Sequence, residues 1–231
     1  MNIAIVVAAG KGTRLGGDRP KQFLEVGGIP IVIHTLRQFE LCREIDEIVT
    51  VLPAEETDAF LSFAKLYGFK KPTRAVAGGA TRAQSVARGL AVVGDAEIVA
   101  VHDGVRPFVT PHEIDLVVNA ARASGAAILV APVPDTIKEI KNDRVVRTLP
   151  RADLRRALTP QCFRLEILKQ AYETLSDSEA AGSEVTDDSL LVERLGVEVS
   201  AVEGSSRNIK ITREEDLALA EALLKEMSLV L

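Results

Sequence analysis

The sequence predicts an α/β protein with a mostly parallel sheet, helices on both of its faces and one inserted β-hairpin arm. Three observations carry this prediction. The chain begins with a continuous apolar, β-branched run, apolar runs then alternate with helical stretches, and one segment breaks that alternation with two short strands. With 231 residues, the chain is long enough for one well-buried core.

The first strand is predicted over residues 3–8, where the apolar run ends at glycines. Five more apolar runs are predicted to be strands, at 47–52, 74–77, 97–102, 126–133 and 197–202. The stretches between them have helical patterns, at 31–41, 55–67, 81–93, 111–123, 164–175, 187–195 and 213–227. This alternation indicates a Rossmann-like sheet in which successive strands are joined by helices.

The hairpin is predicted between Thr136 and Leu149, with Asn142-Asp143 at its turn. It forms an arm at about residues 135–151, and arms of this kind often serve association. The sequence contains no internal repeat, low-complexity segment or linker. We therefore expect residues 1–231 to form a single domain.

Composition excludes several classes of function. The 28 Lys and Arg residues are outnumbered by 33 Asp and Glu residues, giving a net charge of −5, so neither nucleic acid nor an anionic membrane is an expected partner. Cys42 and Cys162 match neither a disulfide framework nor a metal-binding pattern, which favours a cytoplasmic location. We expect no signal peptide and no membrane span.

A glycine-rich loop follows the first strand, with the sequence AAGKGTRLGGDRPKQF over residues 8–23. Its glycines allow the backbone N–H groups to approach an anion, while Arg14 and Lys21 supply a bidentate fork and a point charge for phosphate oxygens. Gly10, Gly12 and Gly16 are spaced one residue too widely for a dinucleotide fingerprint, and the Walker pattern also fails. The loop therefore predicts a nucleotide triphosphate site of another type, although a flexible turn with solvated charges is the alternative.

This loop resembles the opening of the cytidylyltransferases that act on 2-C-methyl-D-erythritol 4-phosphate in the non-mevalonate isoprenoid pathway. The resemblance recurs over nearly the whole chain, in the family's order and at similar spacing. The segments that carry it are GGATRAQSVARGL, VHDGVRPF, TIKEI, LTPQCF, TDDSLLVERLG and VEGSSRNIKITREEDLALAEALL. It implies a nucleotidyltransferase that uses CTP, a polyol phosphate and Mg²⁺ or another divalent cation, and that forms a homodimer through its hairpin arm.

Asp103 and Arg106 follow the strand at 97–102, so they should lie at the carboxyl edge of the sheet, where open α/β sheets bind ligands. A carboxylate there suits Mg²⁺, and a guanidinium suits an anionic acceptor. We expect Asp103 to be a metal ligand that also contacts substrate, although a simple Asp103–Arg106 loop ion pair is the alternative. His102 is expected to pack or to form hydrogen bonds rather than to titrate during catalysis.

The resemblance assigns cytosine recognition to the segment 78–86. Backbone groups around Gly79 and the Ser85 hydroxyl could match the donor and acceptors of the base. The remaining nucleotide-binding residues implied by the family lie in the glycine-rich loop: Ala8, Ala9, Gly10 and Gly12. The alternative is an ordinary glycine-preceded helix in which Arg82 only pins the loop through a salt bridge.

Five further residues complete the expected site. Lys210 lies in an apolar segment predicted to be a short strand, where a lysine is unusual unless it meets an anion. Thr186 is predicted to be an N-cap, and the family adds substrate contact. By resemblance Thr136, Arg151 and Thr159 also help to bind the polyol phosphate, with Thr136 and Arg151 reaching the other subunit's site.

The expected reaction is in-line attack by the acceptor's phosphate on the α-phosphorus of CTP, with Arg14, Lys21 and Lys210 as the catalytic cations. The first alternative keeps the fold and uses ribitol 5-phosphate as acceptor. The segment AAGKG at residues 8–12, with Ala9, favours the erythritol enzymes, because the ribitol enzymes more often have AGGKG there. The second is a nucleotide-binding module without catalysis, which predicts CTP binding without pyrophosphate release.

Overall fold

The structure, a computed structural model, describes residues 1–10, 20–176, 179–180, 182 and 185–228. Its strands in chain order are β1 (Asn2–Val7), β2 (Glu25–Val26), β3 (Ile29–Pro30), β4 (Glu47–Leu52), β5 (Thr73–Ala77), β6 (Ile98–Asp103), β7 (Ala126–Pro132), β8 (Lys138–Lys141), β9 (Arg144–Thr148), β10 (Arg155–Arg164) and β11 (Ser200–Glu203). Its α-helices are α1 (Ile31–Leu41), α2 (Thr57–Leu66), α3 (Arg82–Ala91), α4 (Pro111–Ser124), α5 (Leu165–Glu173), α6 (Asp188–Arg194) and α7 (Glu214–Ser228).

One seven-stranded sheet organises the fold, in the order β11-β7-β10-β6-β1-β4-β5. β10 pairs antiparallel with both of its neighbours, and the other pairs in this sheet are parallel. The predicted mostly parallel α/β sheet is therefore confirmed. The strands predicted before and after the hairpin also agree with the structure to within a few residues.

Helices cover both faces of this sheet because its central strands are apolar on both sides. In β1, Ile3 and Ile5 face one core cluster, which contains residues of α3, α5 and α6. Ala4 and Val6 face the other cluster, which contains residues of α1, α2 and α4. All four side chains are fully buried. The continuous apolar run at 3–8 thus reflects a strand that packs on both faces.

The long strand β10 is absent from the sequence-based prediction, which has no strand between the hairpin and residue 164. Pro160 lies in its middle and cannot donate to a ladder hydrogen bond, so the segment does not have the pattern of a central strand. The sheet accommodates it with a register shift between Ala157 and Gln161 in the pairing with β7. This irregularity matters because Thr159 lies within it.

The predicted arm is confirmed as the two-stranded antiparallel sheet of β8 and β9. Asn142 and Asp143 both have positive φ, at 49° and 59°, as a tight type I′ connection requires. Ile140, Val145 and Val146 on the arm are each more than half exposed. An apolar surface of this kind on two strands is typical of a segment that needs a partner.

Among the described residues, no helix is both long and apolar enough to cross a membrane. The thiols of Cys42 and Cys162 are free and buried. Burial raises the pKa of Cys42 to about 12, with a further contribution from the hydrogen bond that its thiol donates to Asp115.

Candidate active site

The site lies where the direction of the sheet order reverses. From β1 the chain continues to β4 and β5 on one side, and then returns to place β6 on the other side of β1. Val7 and Asp103, the last residues of β1 and β6, are paired in register. Loops that leave neighbouring strands in opposite directions open a crevice at their carboxyl ends, and this is where open α/β sheets bind ligands.

A cavity of about 410 Å³ occupies this crevice, a volume within the usual range for small-molecule sites. Seven of the residues predicted to bind the nucleotide or catalyse its transfer line this cavity: Ala8, Ala9, Gly10, Lys21, Gly79, Ser85 and Lys210. Asp103 lines it as well. The predicted residues Gly12 and Arg14 lie outside the described residues.

Two glycines allow the loops around the cavity to approach one another. A Cβ at Gly78 would lie 2.2 Å from the Cβ of Ala9, and one at Gly104 would lie 2.7 Å from the Cβ of Ala8. Neither contact is compatible with a side chain. The glycine-rich character of these loops is therefore a requirement of their close packing as well as of ligand access.

Ser85 supports the loop at Gly79, which lines the cavity. Its hydroxyl accepts a hydrogen bond from the Gly79 N–H (3.1 Å) and donates to the Thr81 carbonyl (2.8 Å), and the residue is 2% exposed. Thr81 is the N-cap of α3, accepting from the Gln84 N–H. In this arrangement Ser85 fixes the backbone around Gly79, whose groups face the cavity.

Asp103 is the electrostatic centre of the site. Its Oδ1 accepts a hydrogen bond from Arg82 Nε (3.1 Å), and its Oδ2 accepts from Arg106 Nε (3.2 Å) and Lys210 Nζ (2.9 Å). Burial by itself would raise the pKa of this carboxyl, but Arg82, Lys210 and Arg106 outweigh burial and hold the pKa well below its usual range. Asp103 is therefore ionised throughout the neutral range.

A second cavity of about 190 Å³ adjoins the first. Three predicted acceptor-binding residues line it, Arg106, Thr159 and Thr186. Arg82, Asp103 and Lys210 line both cavities, and so form their common boundary. Lys21 lines the first cavity and Arg106 lines the second, so four cations surround this boundary. The carboxylates number three, because Asp187 lines the second cavity and Asp188 is paired with Arg82. The remaining excess of positive charge makes the boundary a place where anionic groups can meet.

His102 packs and forms hydrogen bonds, as predicted, behind two residues that line the second cavity, Arg106 and Thr159. It is fully buried, and its Nε2 lies 3.1 Å from the Arg106 carbonyl, which only accepts, so Nε2 carries the hydrogen. Its Nδ1 then accepts from the Thr159 hydroxyl at 2.9 Å. Burial lowers the pKa of His102 to about 4. The neutral imidazole thus orients Thr159 and Arg106 and has no free nitrogen with which to act as a base.

Two local predictions are wrong. The N-cap of α6 is Asp187, whose carboxylate accepts from the Leu190 N–H at 3.1 Å. Thr186 precedes the cap, is exposed and lines the second cavity. Lys210 does not lie in a strand; its segment is irregular and is held by the hydrogen bond from the Ile211 N–H to the Val105 carbonyl. That bond still places Lys210 over Asp103.

Thr136 and Arg151 line neither cavity and are exposed next to the arm. Arg151 donates a hydrogen bond to the Pro134 carbonyl at 2.9 Å, which ties the two ends of the arm together. Within one chain, these two residues therefore do not reach the cavities that the other predicted substrate-binding residues line.

The importance of Arg82 is much greater than the sequence indicates. It bridges Asp103 and the fully buried Asp188, to which its Nη2 donates at 2.8 Å. The sequence signal was slight: an arginine in the first turn of a helix behind a glycine pair, and an acidic pair at the start of another helix. Only the fold reveals that these two helix ends meet.

The donor set limits the type of metal ion that could bind. Among the described residues there is no group of three or more His, Cys, Asp or Glu side chains suited to a metal. Asp103 accepts three hydrogen bonds, and a carboxylate has about four lone-pair positions, so one remains. One carboxylate position suits Mg²⁺, which keeps most of its ligands as water and phosphate oxygens.

Comparison with known proteins gives a consistent result. The family model for 2-C-methyl-D-erythritol 4-phosphate cytidylyltransferase matches residues 2–226. A protein of that name from Bacillus cytotoxicus is 42% identical over 97% of this chain and 98% of its own length. One from Halalkalibacterium halodurans is 41% identical over 96% of each chain.

Solved structures agree with the sequence matches. The 4-diphosphocytidyl-2C-methyl-D-erythritol synthase of Anaerococcus prevotii superposes with a TM-score of 0.84 at 34% identity, covering 97% of this chain and 96% of that one. The 2-C-methyl-D-erythritol 4-phosphate cytidylyltransferase of Thermus thermophilus gives a TM-score of 0.75 at 36% identity, covering 97% of this chain and all of that one.

Proposed function

Since this chain belongs to the 2-C-methyl-D-erythritol 4-phosphate cytidylyltransferase family, we propose that it carries out the family's reaction at the boundary of the two cavities. The reaction transfers the cytidylyl group of CTP to 2-C-methyl-D-erythritol 4-phosphate, giving 4-diphosphocytidyl-2-C-methyl-D-erythritol and pyrophosphate. Residues 1–231 act as one nucleotidyltransferase domain in this proposal, with CTP in the larger cavity and the polyol phosphate in the smaller.

One observation carries the assignment. The two cavities share Arg82, Asp103 and Lys210, so a phosphate bound in one cavity and a phosphate bound in the other are brought to the same group of charges. Bringing two anions together is the main barrier to joining them, and fixed cations at the meeting point lower it without reorganising during the reaction.

The chemical step needs no general base from the protein. A phosphate monoester has a second pKa near 6, so at pH 7 the acceptor is already mostly a dianion. One of its oxygens forms a bond to the α-phosphorus of CTP, the bond from that phosphorus to the bridging oxygen breaks, and the electron pair leaves with pyrophosphate. The neutral, fully hydrogen-bonded His102 accords with this scheme.

The cations have separate roles in the proposal. Lys21 and Lys210 flank the α-phosphorus and stabilise the charge that grows on its oxygens, while Arg14 holds the departing phosphates. Arg106, Thr159 and Thr186, which line the smaller cavity, orient the acceptor. Lys210 is ion-paired with Asp103 at 2.9 Å, so its ammonium is held at the boundary before substrates arrive.

Mg²⁺, or another divalent cation, is the proposed cofactor, held by Asp103. When bound, the ion neutralises phosphate charge. The ionised carboxylate and its one open lone-pair position support this assignment.

A homodimer formed through the arm is also part of the proposal. The exposed apolar side chains of β8 and β9 support it, as does the position of Thr136 and Arg151 outside both cavities of their own chain. In the dimer these two residues would contact the acceptor bound to the partner subunit. The cytoplasmic location predicted from cysteine usage stays a prediction.

The test is a pyrophosphate-release assay with CTP, Mg²⁺ and one acceptor at a time. We expect release with 2-C-methyl-D-erythritol 4-phosphate and little with ribitol 5-phosphate. Release with ribitol 5-phosphate alone would overturn the choice of acceptor. Tight CTP binding without release with either acceptor would instead favour a binding module.

A further inference from the structure

A chain of buried ion pairs runs from the boundary of the cavities into the protein interior. Arg82 donates from Nε to Asp103 (3.1 Å) and from Nη2 to Asp188 (2.8 Å). Asp188 is fully buried, and its other carboxylate oxygen accepts from the Tyr172 hydroxyl at 2.6 Å. Two carboxylates thus hold one guanidinium, and each is bonded to a different nitrogen of it.

This arrangement fixes the plane of the Arg82 guanidinium. An arginine held by two nitrogens against two separate acceptors cannot rotate without breaking a charge-assisted hydrogen bond. The side chain is 22% exposed and lines both cavities. A fixed Arg82 in turn fixes Asp103, because it is the donor to Oδ1, whereas Arg106 and Lys210 both donate to Oδ2.

Asp188 is itself held to the central sheet. The backbone N–H groups of Asp188 and Ser189 donate to Oε1 of Gln161, at 2.9 and 3.1 Å. Gln161 is 1% exposed and lies on β10, in register with Val101 of β6. Two residues further along β6 is Asp103. The contacts therefore close a ring from β6 through α3, α6 and β10 back to β6.

A purely structural role does not explain this ring well. Burying a carboxylate removes it from water at a cost in free energy, and well-packed apolar side chains of similar volume often stabilise a protein as much as a buried ion pair does. Where an apolar side chain would suffice for stability, the chain has the buried carboxylate of Asp188, bonded to Arg82, which borders both cavities. The reaction as described above makes no use of Asp188.

We propose that Asp188 is a positioning residue for cytidylyl transfer: it holds Arg82, and through Arg82 it orients the Asp103 carboxylate at the boundary of the two cavities. The inference rests on the proposed function, in which that boundary is where the two phosphates meet. It adds a specific dependence of turnover on a residue that lines neither cavity.

The first test is Asp188→Asn, which keeps the size of the side chain and removes its charge. We expect kcat to fall about 10- to 100-fold, the effect of a small displacement of catalytic groups. The KM for CTP should stay within about twofold, because the contacts of the loops around the nucleotide cavity are unchanged. The matched control is Ser189→Ala, a neighbouring buried position on α6 whose hydroxyl bonds, among the described residues, to Asp187 and Glu193.

The second test separates positioning from general destabilisation. In an Arg82→Lys background the ammonium cannot bridge two carboxylates, so Asp188→Asn should lower kcat by less than about twofold further. A substitution that merely loosens the fold would cause the same loss in both backgrounds. If Asp188→Asn does not fold, Tyr172→Phe serves in its place, because it removes one hydrogen bond to Asp188. We expect it to lower kcat by about 3- to 10-fold, and this loss should also disappear in the Arg82→Lys background.

Three results would overturn the inference. The first is a kcat of the folded Asp188→Asn or Tyr172→Phe variant within twofold of the unsubstituted protein. The second is a loss of kcat in the Ser189→Ala control as large as that in Asp188→Asn, and the third is a loss of kcat from Asp188→Asn that is as large in the Arg82→Lys background as in the unsubstituted protein. The unsubstituted protein is assayed first with CTP and 2-C-methyl-D-erythritol 4-phosphate. Absence of pyrophosphate release at that stage would refute the proposed function itself, before any variant is compared.

Discussion

The buried His102 makes a quantitative prediction about stability at low pH. Burial lowers its pKa from 6.5 to about 4, while in the unfolded chain the imidazole regains its ordinary value. Between these two values the unfolded state binds a proton that the folded state does not, so stability is fully present above pH 6.5 and is lost as the pH falls towards 4. A change of one in pKa corresponds to about 1.4 kcal/mol, so a fall from 6.5 to about 4 corresponds to a loss of about 3 kcal/mol in the free energy of unfolding.

The structure explains why the folded protein resists this proton. Nδ1 accepts from the Thr159 hydroxyl, and that hydroxyl oxygen also accepts the Asp103 N–H at 3.2 Å. A proton on Nδ1 would face a hydrogen already directed at it. Burial is the main cause of the lowered pKa; repulsion by Arg106 and Arg82 adds to it, and attraction by Asp103 opposes it.

The assay is urea unfolding at several pH values from 7.5 to 4.5, for the unsubstituted protein and for His102→Gln. Burial also lowers the pKa of His34, so the quantity to compare is the difference between the two proteins. We expect the unsubstituted protein to lose stability faster than the variant as the pH falls, by up to about 1.4 kcal/mol per pH unit near pH 5. Identical pH dependence in the two proteins would refute this explanation.

Three further predictions concern the site and the arm. Asp103→Asn should lower kcat by about 10²- to 10³-fold and the free energy of unfolding by about 3 kcal/mol, because three cations lose a buried partner; steady-state kinetics and urea unfolding would check both values. If the arm serves the partner's site, Arg151→Ala and Lys210→Ala should complement each other when equal amounts are mixed and allowed to exchange subunits. Half of the dimers then contain one variant of each kind and so one intact site of two, which gives roughly a quarter of the unsubstituted activity. No recovery of activity would contradict this arrangement. Cys42, whose pKa is about 12, should react with iodoacetamide far more slowly in the folded protein than in urea; equal rates by mass spectrometry would show that its thiol is not protected.

Much of the fold was predictable because its signals are local. The apolar run of β1 and the turn at Asn142-Asp143 each arise from a few neighbouring residues. β10 was missed because Pro160 removes the pattern of a central strand, and the sheet compensates for it with a register shift. That compensation depends on β6 and β7, which no local pattern reveals.

The site was predictable where its residues end strands or form loops, and less so where helices meet. Asp103 was placed correctly because it ends β6. Thr186 was assigned as the cap of α6 because threonine is a good cap, but Asp187 forms the cap. The bridge from Arg82 to Asp188 joins residues 106 positions apart, and only the folded sheet brings the first turns of α3 and α6 together.

The central claim is that fixed cations at the junction of two cavities bring the phosphates of CTP and the acceptor together. The most direct test is the turnover of Lys21→Ala and Lys210→Ala, measured as pyrophosphate release at saturating CTP, with folding checked by circular dichroism. We predict that each folded variant loses about 10²- to 10³-fold in kcat, as when one preorganised charge-stabilising donor is removed. Near-normal turnover in both variants would contradict the claim.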